Sequence, residues 1–132
     1  MVGQAQAMFA DDVASRSLGM ELVQAGDGAA VVQMRITRQM VNGYDIAHGG
    51  YLFMLADTAF GCACNSHGPV TVGTGAEISF VASARLGDEL VATAAMRTRY
   101  GRNGIYDVTV RRGDEIIAEF RGRSRVVAPD AS

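Results

Sequence analysis

One stretch decides what this chain can fold into. It opens with His48-Gly49-Gly50, runs on through an apolar segment, and closes on Cys64-Asn65-Ser66. Leu52, Leu55 or Ala56, Ala59 and Ala63 recur at helical spacing, which predicts a helix of about five turns from His48 to Ser66. The small Ala56, Ala59 and Ala63 let such a helix lie close against a sheet. His67-Gly68-Pro69 ends it, with Gly68 suited to the C-terminal cap and Pro69 unable to continue the helix. A single carboxylate, Asp57, interrupts this helix. A charge in the middle of the most hydrophobic helix of a small domain is costly unless it is partnered or used.

The remaining chain supplies what the helix packs against. Residues 4–15 read as a short helix. Met20–Gln24 and Ala29–Thr37 read as a hairpin around Gly26-Asp27-Gly28. Arg38–Ala47 has no clear period but holds Met40, Val41, Tyr44 and Ile46, which suits a segment covering or lining a pocket. After the long helix everything reads as strand: Val70–Ser83, Glu89–Tyr100, Gly104–Arg112 and Glu115–Val127. The short turns between them, Leu86-Gly87-Asp88 included, predict antiparallel neighbours. The tail from Ala128 is expected to fray. One helix cannot cover both faces of a six-stranded sheet, but an antiparallel sheet can wrap a single helix on its concave side. The expected class is therefore α+β, with residues 1–132 forming one domain whose sheet edges call for a second copy.

Composition narrows the function. With 132 residues, 48% of them hydrophobic, the chain can bury a sizeable core. The net charge is −2 and all twelve basic residues are Arg, so neither nucleic acid nor a membrane surface is an expected partner. No apolar run is long enough to span a bilayer, and the acidic start, with Asp11 and Asp12, does not look like a signal peptide. Cys62 and Cys64 lie on different helix faces and read as small buried hydrophobes in a reducing cytoplasm. With only His48 and His67 as imidazoles, no metal site is expected.

Two features of the helix suit acyl chemistry. Gly49-Gly50 at its start leaves backbone N–H groups exposed to a ligand and to a developing oxyanion; the same glycines could simply permit a tight turn. Asp57 can serve as nucleophile or as general base for water, with Phe53, Phe60 and Cys64 near it to raise its pKa and Gly61 leaving space beside it. It can equally be an acid that hydrogen-bonds a neighbouring loop. Gly49 and Asp57 are eight residues apart, roughly 12 Å along a helix. One carbonyl cannot touch both in the same chain. Joint action therefore requires Asp57 of one protomer to meet Gly49 of another, in a dimer with antiparallel central helices.

The element order, together with His48-Gly49-Gly50, Phe53, Leu55-Ala56-Asp57-Thr58-Ala59 and Cys64-Asn65-Ser66, resembles the hotdog-fold acyl-CoA thioesterases. It is closest to their phenylacetic acid degradation (PaaI-like) subgroup, which Gly104-Ile105-Tyr106-Asp107 and Phe120-Arg121-Gly122-Arg123-Ser124 also resemble. The resemblance implies a hotdog fold and hydrolysis of an acyl-CoA substrate, hydroxyphenylacetyl-CoA-like, without metal or other cofactor. It places the acid on Asp57 and the polarising amide on Gly49. Asn42 becomes the polar group that positions carbonyl or water, and His48 the residue that orients the loop. It further implies a homodimer paired into a homotetramer. Gly50, Tyr51, Phe53, Thr58 and Ser66 are candidate substrate-binding residues, with Tyr44, Tyr51 and Phe53 able to line an acyl pocket or to belong to the core. Exposed Arg99, Arg102, Arg123 and Arg125 are candidates for the coenzyme A phosphates. Related thioesterases carry a hydroxyl one turn after the acid, where this chain has Gly61. A non-catalytic acyl-CoA-binding module is the alternative, but such a module has no need of an acid in the helix.

Overall fold

The computed structural model describes residues 3–130. Two short helices, α1 (Gln4–Ala10) and α2 (Val13–Ser17), lead into β1 (Glu21–Gly26) and β2 (Ala29–Arg35). A 3-10 turn at Arg38–Met40 precedes the long helix α3 (Gly49–Cys64). Then come β3 (Pro69–Phe80), β4 (Glu89–Tyr100), β5 (Asn103–Arg112) and β6 (Glu115–Asp130). The six strands form one antiparallel sheet in the order β1-β2-β4-β5-β6-β3. This is the hotdog arrangement expected from the sequence, with α3 held in the curve of the sheet.

Three of the turns are two-residue hairpins joining adjacent strands. Asp27 and Gly28 both take positive φ (54° and 80°), the conformation whose twist matches the flanking strands. The β4–β5 and β5–β6 turns place Gly101 and Gly113 in the same region. The β3–β4 connection is not a hairpin, which corrects the expectation of neighbouring strands. β3 pairs with β6 from Pro69↔Asp130 to Phe80↔Ala118. The chain then runs across the sheet end, where Val81 and Ala82 donate to the Ile117 carbonyl and Ala47 donates to Ala84. Because β4 aligns on β2 instead (Met34↔Leu90), β3 is left as an edge strand.

Other boundaries differ locally. The expected helix over 4–15 is two helices, because Asp12 caps α2 by accepting from the Ser15 N–H (3.0 Å). Asn65, not Gly68, closes α3. Its buried Nδ2 donates to the carbonyls of Gly61 and Thr71 (both 2.9 Å), and its Oδ1 accepts from Thr71 N–H (3.0 Å). One side chain thus satisfies a helix-end carbonyl and ties the helix to the start of β3. In place of the frayed tail expected from Ala128, β6 continues to Asp130; residues 131–132 lie outside the described residues.

The core forms where α3 meets the sheet. Leu52, Leu55, Ala56, Ala59 and Ala63 are buried against Val32, Met34, Ala92, Ala94, Val108 and Val110. The Phe60 ring needs two glycines beneath it. A Cβ added at Gly122 would lie 2.8 Å from three ring atoms, and one at Gly73 would lie 3.0 Å from the ring. Those glycines in β6 and β3 seat Phe60 and so fix the rotation of α3 that presents Asp57. Cys62 and Cys64 are buried as expected, and burial pushes their thiols up to about 11 and about 12. Both therefore stay protonated at neutral pH. No helix among the described residues is long and apolar enough to cross a membrane.

Candidate active site

Asp57 projects from the part of α3 that overhangs the edge strand β3. Within the single protomer Asp57 is exposed, so the chain alone does not enclose it. The cause lies in β3. Its Gly73, Gly75 and Ala76 have almost no side chain to raise a wall opposite the helix. With Phe53, Asp57 and Phe60 they line a groove of about 300 Å³. The two rings still displace enough water to lift the Asp57 carboxyl above its ordinary value, and the negative charge of Asp12 lifts it further. Phe53 stands half-buried with its ring edge-on to Phe120 (centroids 5.3 Å apart, planes at 69°).

Asp12 reaches the site through a hydrogen-bond chain. Ser15, 1% exposed, places its Oγ 2.7 Å from Asp12 Oδ2 and 2.8 Å from Thr58 Oγ1. A carboxylate only accepts, so Ser15 donates to Asp12 and Thr58 must donate to Ser15. The Thr58 proton is therefore committed inward, and its hydroxyl has only lone pairs to offer a ligand. That limits the substrate-binding role expected of Thr58 to accepting.

This arrangement carries a pH signature. Were Asp57 the base that the resemblance implies, it would have to be ionised to act, and activity would fall as pH drops through its raised pKa. Asp12→Asn keeps the α2 cap but removes the charge. The acid limb of kcat/KM is expected to move to lower pH in that variant, measured as thiol release across a pH series; an unmoved limb would show that Asp12 does not act on Asp57.

The other predicted residues divide into two groups. Gly49 and Gly50 begin α3, and neither a His48 side-chain cap nor an acid in the first turn covers their amides. His48 is exposed and makes no side-chain cap; its own N–H donates to Met40 O (2.9 Å). Asn42 lies ahead of this turn, where its Oδ1 accepts from the Tyr44 and Ile46 N–H groups (2.9 and 3.2 Å). This shapes the loop and commits that oxygen, leaving the Nδ2 end as the donor for a ligand. Tyr51 is half-buried against the core, and Tyr44 is 83% exposed.

Ser66, Arg99 and Arg102 lie elsewhere. The Ser66 hydroxyl donates to Ala63 O and accepts from Gly28 N–H (both 2.7 Å), tying the helix end to the first hairpin. Arg99 and Arg102 flank a cavity of about 10 Å³ with His67 and Tyr106, room for about one water. Of the candidate arginines, Arg123 stands nearest the groove: a Cβ on Gly75 would lie 3.5 Å from its guanidinium, which is paired with Glu77. Sequence reasoning missed Gly73, Gly75 and Ala76 as groove-formers, although two glycines within a strand signal a close approach or a bulge. β3 does shift register between Gly73 and Gly75.

Comparison with known proteins bears on this geometry. Residues 44–119 match the family model of the thioesterase superfamily. The chain is 42% identical over 121 residues to the acyl-coenzyme A thioesterase PaaI of Escherichia coli K12, covering 91% of this chain and 86% of that protein. Its fold superposes on the structure of the E. coli PaaI protein from the phenylacetic acid degradation operon with a TM-score of 0.92 and 39% identity, covering 96% and 92% of the two chains. A Streptococcus mutans UA159 protein bound to acetyl CoA matches with a TM-score of 0.79 and 26% identity, over 84% of this chain and 90% of that one.

Proposed function

The chain belongs to the thioesterase superfamily as an acyl-CoA thioesterase of the PaaI type, and on that premise we propose that it hydrolyses aryl-CoA thioesters of the hydroxyphenylacetyl kind at a site shared between two protomers. The observation that carries this reading is Asp57, standing with a raised pKa over the groove that the small residues of β3 leave open.

In this reading the ionised Asp57 takes a proton from water as the water oxygen attacks the thioester carbonyl carbon. The carbonyl oxygen gains negative charge and is received by the Gly49 N–H at the positive end of the partner's α3. When the tetrahedral intermediate collapses, the C–S bond breaks and the sulfur takes up the proton. Free carboxylic acid and coenzyme A thiol leave. Direct attack by Asp57 through an anhydride gives the same products after one more hydrolysis. Asn42, ahead of the turn, has its Nδ2 to orient carbonyl or water.

Sharing between protomers is supported by the helix length, which separates Gly49 and Asp57 by roughly 12 Å. It is also supported by exposed apolar residues at the sheet edge: Val72 in β3 and Val81 just past its end are 44% and 59% exposed. A second copy laid against this edge would enclose Asp57 and cover that surface. Pairing of two such dimers into a tetramer belongs to the same reading.

The test is a panel of aryl-CoA and straight-chain acyl-CoA thioesters with release of free thiol as the readout. Phenylacetyl-type thioesters are expected to give the highest kcat/KM. Binding of these thioesters without thiol release would instead identify a non-catalytic acyl-CoA module.

A further inference from the structure

The groove has one tall wall, and it stands at the helix entrance. Going back along β3 from its end, the residues facing α3 are Phe80, Ile78 and Ala76, then the Gly73–Gly75 bulge. The wall is low beside Asp57 and high beside Gly49. A Cβ built on Gly49 would lie 2.6 Å from Phe80 Cζ and 3.1 Å from both Cε atoms. Those distances put the added atom over the face of the ring near its tip, not against its edge. Gly49 does not take a positive φ. The backbone would therefore accept a side chain here, but any side chain would have to push the Phe80 ring off the helix start. At Gly50, by contrast, a Cβ would meet nothing within 4 Å.

Phe80 is also 54% exposed. One part of the ring covers Gly49, and the rest is open beside the amides that start α3. The open part of the ring offers a flat apolar face beside those amides. A planar acyl group whose carbonyl approaches the Gly49 N–H would bring its own ring within stacking range.

We propose that Phe80 is the residue that selects aromatic acyl groups, and that glycine is required at position 49 because the Phe80 ring occupies the space of a side chain. The proposal rests on the hydrolase reading above and adds to it the residue that sets the substrate class. Phe80 acts at the acyl end of the substrate, whereas Asp57 acts at the reacting carbon. Changing Phe80 therefore alters the ranking of substrates, not the chemistry.

The experiment compares kcat/KM for phenylacetyl-CoA and hexanoyl-CoA in wild type, Phe80→Ala and Phe80→Leu. Both variants are expected to lower the aryl-to-alkyl ratio, by about tenfold for Ala, the upper range for loss of one aromatic pair. Phe80→Leu keeps apolar bulk at the strand end and covers the case in which Phe80→Ala folds poorly. The second arm places Gly49→Ala in both backgrounds. Gly49→Ala alone is expected to lose most activity, and Gly49→Ala with Phe80→Ala to recover part of it, because the colliding ring is gone. An unchanged ratio in both Phe80 variants, or no recovery in the double variant, overturns the assignment while thioester hydrolysis stands. Failure of the wild type to release thiol from any thioester is a different result, and overturns the hydrolase reading itself.

Discussion

Asp57→Asn is expected to lower kcat by about 10²–10⁴-fold, the range attributable to a positioned acid–base group, while leaving the fold intact. Asn has nearly the same shape but cannot accept a proton from water or attack a carbonyl, so the chemistry is removed and the groove is kept. The effect on stability has a definite sign. The folded-state pKa of Asp57 is raised, first by desolvation and then by Asp12. The protonated form is thus favoured in the folded chain. Its stabilising contribution is fully present below the unfolded pKa and is lost as pH rises through the folded one. At neutral pH the native carboxylate is a mild burden on folding, and the neutral amide relieves it. Thermal unfolding of Asp57→Asn at pH 7 should therefore show a Tm no lower than that of wild type, and substrate affinity should hold. An inactive variant with a clearly lowered Tm would point to a structural acid. Undiminished hydrolysis would remove Asp57 from the mechanism altogether.

Local patterns made most of the architecture legible. The apolar spacing of Leu52, Leu55, Ala56, Ala59 and Ala63 located α3, and β-branched runs between tight turns located the strands. Strand order was less legible. Residues 81–88 look like a connection that could fold back, and only the long-range pairing of β3 with β6 decides that they cross the sheet end. Helix closure by Asn65 escaped for a related reason: its partner Thr71 lies six residues on and becomes available only once β3 is in place.

At the site, residue identity was easier to foresee than surroundings. Asp57 stood out as the lone charge in an apolar helix, yet its exposure depends on the shortness of side chains across the sheet edge at Gly73, Gly75 and Ala76. No spacing rule on α3 could disclose that. Ser66, Arg99 and Arg102 illustrate the converse. Their chemistry suits a ligand, but the fold engages Ser66 with the first hairpin and sets both arginines around the small His67 cavity. The Asp12–Ser15–Thr58 chain joins residues more than forty positions apart, so it becomes visible only when α2 lies on α3.

A mixture of two inactive proteins should recover activity. Asp57→Asn retains a sound Gly49 but no base, whereas Gly49→Val retains Asp57 behind a blocked helix start. A branched side chain at position 49 begins with a Cβ 2.6 Å from the tip of the Phe80 ring, and its methyl groups crowd the helix start where a carbonyl is to approach the amide. If each site joins Asp57 of one protomer to Gly49 of the other, a heterodimer of the two variants holds one intact site and one doubly defective site. Random re-pairing of equal amounts makes about half of the dimers mixed, so roughly a quarter of wild-type activity should return. The rise should follow the rate of subunit exchange and be greatest at equal proportions of the two variants. Neither variant alone should show it at any concentration. A site built wholly within one chain cannot be restored this way, because each chain would carry its own defect into the mixture. The helical rise makes such a site improbable on its own: roughly 12 Å separates the two groups, about four times the distance over which a single carbonyl could touch both. A mixture that stays as inactive as its components would break the pairing of Asp57 with a neighbouring Gly49, and with it the reason for placing the exposed carboxylate at a protomer boundary.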